Sequence, residues 1–576
     1  MKNNIFKKLI ASALCLSFMT LQTTFAESVI PVLPDNGSGG AQINGSHGGF
    51  TGVEKPDSNN ANLKFNGDAV LDWGFLNVGK NQSLNFINGN WAVLNNVLNG
   101  MSTIAGSITG GQGAIIISNP NGMLMAPGGS IQTAGTLVLT TQDLTNKYTF
   151  NDGKLNINYD YLNNPVFKDN TYSVIALNSG KVFSGGDLNI IAKGIDVNAS
   201  NITGNNISFV TKDGSNFIAA SADPAKTNNI KFNNNSSIQI ANSSITSSNP
   251  SGIINLVADN SAISVNGGNF TAKETKMSNK HAVLLKSGNV GGDLTVNSDG
   301  FVVNKKGSTA STTVGGNLTA KTGKNSSIYN MTVTGDADIT SGLTPKAEGS
   351  YPNSPTYLSN FKSNNLTVKS SDHVSLVNGS EIKGNANIVA GTGKPNMKIT
   401  GTTNSATFFM GDSKVGKDLN VETEHGAIHV AGGSIGGNAN LTADSKGTDS
   451  GNIIIGYNSN DPNNVTDKNS TSIGGNITTK ANLWVKAFSK DTMKFKDVDV
   501  KQYMDLSSDK GVLMSAGNVG GDLTVNSDGF VVNKKGSTAS TTVGGNLTAK
   551  TGKNSSIYNM TVTGDADITS GLTPKA

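Results

Sequence analysis

Gly291-Gly292-Asp293-Leu294-Thr295-Val296 and Gly315-Gly316-Asn317-Leu318-Thr319-Ala320 share one plan: a glycine pair, an Asp or Asn, then alternating apolar and polar residues. Variants recur upstream as Gly185-Gly186-Asp187-Leu188-Asn189-Ile190. Downstream they appear as Gly335-Asp336-Ala337-Asp338-Ile339, Asn364-Asn365-Leu366-Thr367-Val368, Gly384-Asn385-Ala386-Asn387-Ile388, Gly416-Lys417-Asp418-Leu419, Gly436-Gly437-Asn438-Ala439-Asn440-Leu441 and Gly474-Gly475-Asn476-Ile477. Strict alternation predicts a strand with one buried face. Gly and Asn tolerate the left-handed backbone that tight corners need. The apolar anchors Leu294, Leu318, Ile339, Leu366, Ile388, Leu419 and Leu441 follow one another at 24, 21, 27, 22, 31 and 22 residues. One strand-and-corner unit every twenty-odd residues suits one coil of a parallel β-helix, and the uneven spacing marks loops inserted at corners. Local breaks near 345–360 and 455–470 would be compatible with one continuous solenoid.

Over this fine repeat lies a coarse one. Residues Gly288 to Ala347 are identical to Gly517 to Ala576, an offset of 517 − 288 = 229. Identical sequence predicts the same backbone path in both segments.

The composition agrees with a narrow interior. A chain of 576 residues would ordinarily predict roughly four globular domains. Yet it carries 69 Gly and 76 Asn, with 36% hydrophobic and 15% charged residues, against about 45–50% and about 25% in ordinary domains. All 44 basic residues are Lys, balanced by 40 acidic ones, so disorder driven by net charge is excluded. Only seven Glu occur, too few for a helical solenoid. Calcium-binding rolls need Gly-rich blocks about nine residues apart, which are absent.

Residues 1–26 read as a secretory leader. Lys2, Lys7 and Lys8 precede an apolar stretch from Leu9 to Met19, and Thr24-Phe25-Ala26 presents small residues for cleavage between Ala26 and Glu27. The apolar run is too short to span a bilayer. Cys15 is the only cysteine, and Leu14 before it is bulky where a lipid-anchor signal needs Gly or Ala. The exported chain is therefore expected to lack thiols, and its charge falls to 41 − 40 = +1. Such a balance gives no electrostatic reason to seek nucleic acid or to insert stably in an anionic membrane.

A second signal lies between residues 86 and 142. Leu94-Asn95-Asn96-Val97 reads as a strand, followed by Ile104-Ala105-Gly106-Ser107-Ile108 and by Ile115-Ile116-Ile117-Ser118. Pro120 must end that strand, because proline donates no ladder hydrogen bond. Asn119-Pro120-Asn121-Gly122 and Ala126-Pro127-Gly128 then mark two corners.

The order of these pieces resembles the secretion domain of two-partner secretion exoproteins of the filamentous haemagglutinin type. The likeness is tight over roughly 60–145 and looser to about 270. Asn96 stands where that family usually has Arg, and its second Asn-Pro-Asn-Leu element is represented only by Asn163-Asn164-Pro165. The resemblance implies a right-handed parallel β-helix. It also implies export across an outer membrane by a β-barrel transporter with periplasmic recognition domains. On this reading residues 30–270 form the secretion domain and 271–576 a repeat stalk, and the expected partners are the transporter and an unknown host or bacterial surface receptor. The candidate recognition motif is Leu94, Asn95, Asn96, Val97, Asn119, Pro120, Asn121, Gly122, Pro127 and Gly128. Asn119 and Asn121 are expected to shape its turn, Asn121 through a left-handed backbone. With about 22 residues per coil rising ~4.8 Å, the 576 − 26 = 550 residues after the leader would reach on the order of 120 Å.

Nothing in the sequence points to catalysis or a cofactor. His425 and His429 on one strand would stand ~13 Å apart, too far to share a metal ion. No nucleophile elbow or Walker lysine accompanies the Ser- and Gly-rich segments, and Asp293, Asp336 and Asp338 are expected to decorate solvent-facing turns. The expected function is that of an adhesin-like, secreted or surface-displayed exoprotein and not an enzyme. The alternative is the delivery stem of a polymorphic toxin whose effector lies beyond residue 576. A cytolysin is disfavoured by the lack of a membrane-active amphipathic segment, and an autotransporter by the lack of a closing barrel pattern.

Overall fold

In a strand, every second side chain points the same way, so stacking alternating strands in register builds inward rows of apolar residues. The computed structural model describes residues 41–157, 173–212, 236–259, 261–344, 355–393, 406–447, 451–458 and 468–572. Among them the regular elements are all β-strands, almost all paired in parallel, and the fold is a parallel β-helix. The chain divides into two units, the first taking in the described residues up to Lys280 and the second those from His281 onward.

The first unit coils through three columns of strands. One column stacks Ala61, Leu84, Ile108, Ile131, Val182, Ile202, Ile245 and Phe270. A second stacks Ala69, Val93, Ile115, Leu137, Leu188, Ile207 and Ile254. The third stacks Ile104, Met125, Leu177, Val197, Ile240 and Val265. All are buried. The strand Gln42–Glu54 pairs antiparallel with Asn60–Phe75, which carries the first coil on two of its stretches. An edge that would invite foreign strands is thereby paired.

In the second unit one column shows two inward rows. The first is Leu294, Leu318, Ala337, Leu366, Ala386, Leu419, Ala439 and Ile477. The second is Val296, Ala320, Ile339, Val368, Ile388, Val421, Leu441 and Thr479. Each Ala of the first row is matched by Ile or Leu two residues on, so every coil fills a similar volume, as close packing requires. The spacing expectation is corrected here. Ile339, Ile388 and Leu441 lie in the second row, and the larger neighbour of a small residue had taken the anchor's place.

The Gly-Gly corners are also built differently from expectation. The Oδ1 atom of Asp293 accepts a hydrogen bond from the Asn317 amide (2.7 Å), Asn317 from Asp336 (2.9 Å), Asp336 from Asn365 (3.1 Å) and Asn365 from Asn385 (2.9 Å). The ladder continues through Asp418, Asn438 and Asn476. Asp293 and Asp336 are thus rungs of a ladder, while Asp338 is exposed on its strand. Glycine precedes most rungs because the side-chain oxygen from the coil below passes under it: a Cβ on Gly316 would lie 2.2 Å from Asp293 Oδ1. Left-handed backbone instead marks other turns, at Ser179, Ala199 and Asn242 in the first unit and Asn304, Asn330, Asn360, Asn378 and Asp412 in the second.

The duplicated segments follow the same path. Strands Thr312–Val314 and Thr541–Val543 correspond at the 229-residue offset, and Asn304 and Asn533 share φ near +55° (56° and 54°). They nevertheless occupy different faces. The register running from Val283 through Phe301, Ser326, Thr356, Val374, Phe408, Ile428, Ile453, Val485 and Met504 arrives at Leu523. Leu523 is the copy of Leu294, which starts a different column. The column of Leu294 in turn passes through Ile477 and Phe495 to Met514, which stands three residues ahead of the second copy as Leu285 does of the first. The changeover lies at Met493–Val500, a strand laid on Ile477–Ala481 that carries Val512–Val519.

Candidate recognition site

Two stacked strands of the first unit hold the motif. Val93–Val97 lies on Ile115–Ser118 with Asn96 beside Ser118, so Val97 neighbours the corner that starts at Asn119. Asn95 is buried: its Oδ1 accepts a bond from Trp73 Nε1 (3.0 Å), and its Nδ2 donates to the Ile116 carbonyl (3.1 Å). Asn96 donates to Asp72 Oδ1 (3.0 Å), while its own buried Oδ1 has no hydrogen-bond partner among the described residues. Leu94 faces away from the coil interior into a second apolar cluster with Val70, Ile116, Val138, Leu144 and Ile191. The hairpin of Tyr148–Asn151 and Lys154–Ile157 covers this cluster with Tyr148, Phe150, Leu155 and Ile157. Asp68 ties the two together, accepting from the Ala92 amide (2.9 Å) and from the Leu155 amide (2.8 Å).

The corner itself is organised by Asn119. Its Oδ1 accepts the Asn121 amide (2.9 Å), and its Nδ2 donates to the Gly100 carbonyl (3.1 Å) and Ser102 Oγ (2.9 Å) of the coil below. The Gly122 amide donates to the Asn119 carbonyl (3.0 Å), closing a four-residue turn with Pro120 at the position that suits its fixed φ. The left-handed residue is Gly122, with φ +97°, and not Asn121. A Cβ on Gly122 would stand 2.9 Å from the Val174 carbonyl, so backbone angle and space both demand glycine. In the next turn, which starts four residues on, the Gly129 amide donates to the Ala126 carbonyl (2.9 Å) across Pro127 and Gly128, with Gly128 at φ +86°. This is the pattern of a type II turn.

The fold therefore brings all ten motif residues into two adjacent coils, but mostly inside them. Leu94 to Val97, Asn119, Pro120 and Gly122 are buried, Asn121 is half-buried, and Pro127 and Gly128 are exposed. The covering hairpin and the outer cluster escaped sequence reading. Their signal is the unbroken apolar run at Ile115-Ile116-Ile117 and at Leu137-Val138-Leu139, since a strand without alternation is covered on both faces. The leader with Ala26 and Glu27, and Asn163-Asn164-Pro165, lie outside the described residues.

His425 and His429 are both buried. The His429 Nε2 lies 2.6 Å from the Tyr457 carbonyl, and its ring packs 5.0 Å from Phe409. Burial lowers its pKa, against the opposing bond to Tyr457. Among the described residues, no group of three or more His, Cys, Asp or Glu could hold a metal ion, and no helix is long and apolar enough to cross a membrane.

Neither a protein-family model nor a curated protein matches the sequence. Among solved structures, the chain is similar to the secretion domain of HMW1 from Haemophilus influenzae. That likeness has 14% identity over 92% of this chain and all of that one, with a TM-score of 0.12. At that level it adds nothing to the fold, which rests on the strand register itself.

Proposed function

We propose that this chain is a secreted or surface-displayed, adhesin-like exoprotein, carried across an outer membrane by a dedicated β-barrel transporter that reads its N-terminal unit. The observation that carries the reading is the Asn119–Gly122 corner. The full Asn-Pro-Asn-Gly motif occupies a coil of the β-helix, and Asn119 places three side-chain hydrogen bonds there. We assign no enzymatic activity to the chain. Its most regular polar side chains, the corner ladder from Asp293 to Asn476, satisfy backbone amides of the neighbouring coil and so serve the stack.

The burial of the motif divides its residues into two roles. Asn119 builds the coil, and Pro127 and Gly128 meet solvent. Secretion through the cognate transporter tests this in three variants. Asn119→Ala is expected to reduce export at least tenfold, and Asn121→Ala, whose side chain makes no bond in the turn, to leave it within twofold. Gly437→Ala, at a stalk corner where a Cβ would meet Asp418 Oδ1 at 2.2 Å, damages a coil without touching the motif and should leave export intact. Equal export of all three would remove the motif from secretion.

A further inference from the structure

Lys494, Lys496, Lys534 and Lys535 line a groove of about 470 Å³ in the second unit, with Leu513 and Val531 among its apolar lining. Lys494 and Lys496 flank the buried Phe495 on one strand and both point outward, about 7 Å apart. Lys494 lies beside Leu513, and Leu513 beside Val531. Lys534 and Lys535 follow the end of that last strand at Val532, two coils or about 10 Å from the first pair. None of the four is in an ion pair among the described residues, whereas Lys486, Lys510 and Lys553 pair with Asp505, Asp491 and Asp528. No carboxylate lines the groove, and Asp497 stands exposed just past Lys496.

The duplication supplies a contrast. Asn304-Lys305-Lys306 repeats Asn533-Lys534-Lys535, but Leu284 is 2% exposed where Leu513 is 37%, and Val302 is buried where Val531 is half-buried. The same lysine pair thus stands over a closed floor in one copy and an open one in the other. The groove depends on the changeover of columns, which sets Lys494 and Lys496 beside Leu513 and Ser515, just ahead of the second copy.

We propose that this groove binds an acidic polysaccharide. Its carboxylate or sulfate groups would pair with the four ammonium groups, and its sugar rings would lay their C–H faces on Leu513 and Val531. Asn476 and Ser515 in the lining offer neutral partners for sugar hydroxyls. A nucleic acid is less well suited, because the chain has no Arg for paired phosphate contacts and, with Phe495 buried, only Tyr558 in the lining could stack a base. The proposal stands apart from the export route above, since it concerns the purified folded chain.

Calorimetry on the full chain tests it with three probes: a sulfated heparin oligosaccharide, a polygalacturonate oligosaccharide carrying carboxylates alone, and single-stranded DNA of equal charge. At least one sugar should bind, more weakly as salt rises. Lys494→Gln with Lys496→Gln, or Lys534→Gln with Lys535→Gln, should weaken it at least tenfold. Lys305→Gln with Lys306→Gln should leave it within twofold. Which sugar binds distinguishes sulfate from carboxylate recognition. Failure of both sugars to bind would overturn the assignment, as would equal loss in the Lys305/Lys306 control. DNA binding as tight and as dependent on the same lysines would also overturn it.

Discussion

Two stretches of identical sequence, Gly288 to Ala347 and Gly517 to Ala576, bend the same way and are buried differently. Asn304 donates to the carbonyls of Tyr329 (2.7 Å) and Asn330 (3.2 Å), and Asn533 repeats this with Tyr558 (2.7 Å) and Asn559 (3.0 Å). Lys324 and Lys553 each reach an Asp carboxylate at 2.8 Å. Yet Tyr329 is 7% exposed and Tyr558 39%, because the strand Thr356–Ser363 stacks on the first copy and sets Tyr357 against Tyr329 at 5.3 Å. The path of a coil is written in its own residues. Its burial and its face are set by the coils above and below.

The largest effect should fall where the copies differ most. Ile339 is fully buried and its copy Ile568 is 45% exposed. Ile339→Ala is expected to cost about 2–5 kcal/mol and Ile568→Ala less than about 1 kcal/mol. Hydrogen exchange at the amides of each coil reads this locally, as suits a fold whose stability is a sum over neighbours. Equal protection loss would break the comparison.

Where the copies agree, the effects should match. Asn304→Ala and Asn533→Ala each remove bonds internal to the copy and place alanine at positive φ, for about 2–3 kcal/mol. Local exchange should show the two costs within about 1 kcal/mol of each other.

Acid separates the copies from the coils between them. Neither copy contains His, whereas His429 lies buried in the intervening stretch. Burial holds its pKa below the usual 6.5, so its neutral form contributes stability that is fully present above pH 6.5 and is lost as pH falls from there through the folded value. Protection of the Ala427–Ala431 amides, corrected for the intrinsic exchange rate, should therefore fall as pH drops below 6.5 while the copies keep theirs, and His429→Gln should flatten that response.

The smallest contrast is at the corner ladder. Asp336 accepts bonds from Asn364 and Asn365, which lie outside the duplicated sequence. The bond from Asn365 leads in lowering its carboxyl pKa below 3.8. That stabilisation is present above pH 3.8 and lost as pH falls through the lower folded value. Asp336→Ala should cost about 0.5–1 kcal/mol at neutral pH and Asp565→Ala less than about 0.5 kcal/mol, measured by urea unfolding with a probe in each coil.

How much was legible follows the same division. Alternation around Leu294 and Leu318 made the strands and the parallel coil readable, because strand polarity is local. The twin inward rows were not, since Ala337 and Ile339 trade volume only when stacked on Leu318 and Ala320. The Asn119–Gly122 turn was readable from Pro and Gly, but its left-handed residue was misplaced to Asn121. The Val174 carbonyl that excludes any side chain from Gly122 comes from 52 residues downstream. The hairpin over Leu94 and the lysine groove were hidden for a similar reason, each being made by residues that meet only across coils.

Cysteine pairing across the changeover tests the account most directly, in a chain whose only native cysteine is Cys15. Lys486 and Asp505 are partners in adjacent stacked strands and lie 3.5 Å apart through their side chains. If the columns shift as described, Lys486→Cys with Asp505→Cys should form a disulfide readily under mild oxidation, because stacked Cα atoms lie within bridging range. A stack without the changeover would instead place Lys486 beside Leu513. Cross-linking of Lys486→Cys with Leu513→Cys, and none with Asp505→Cys, would contradict both the face assigned to the second copy and the groove built on it.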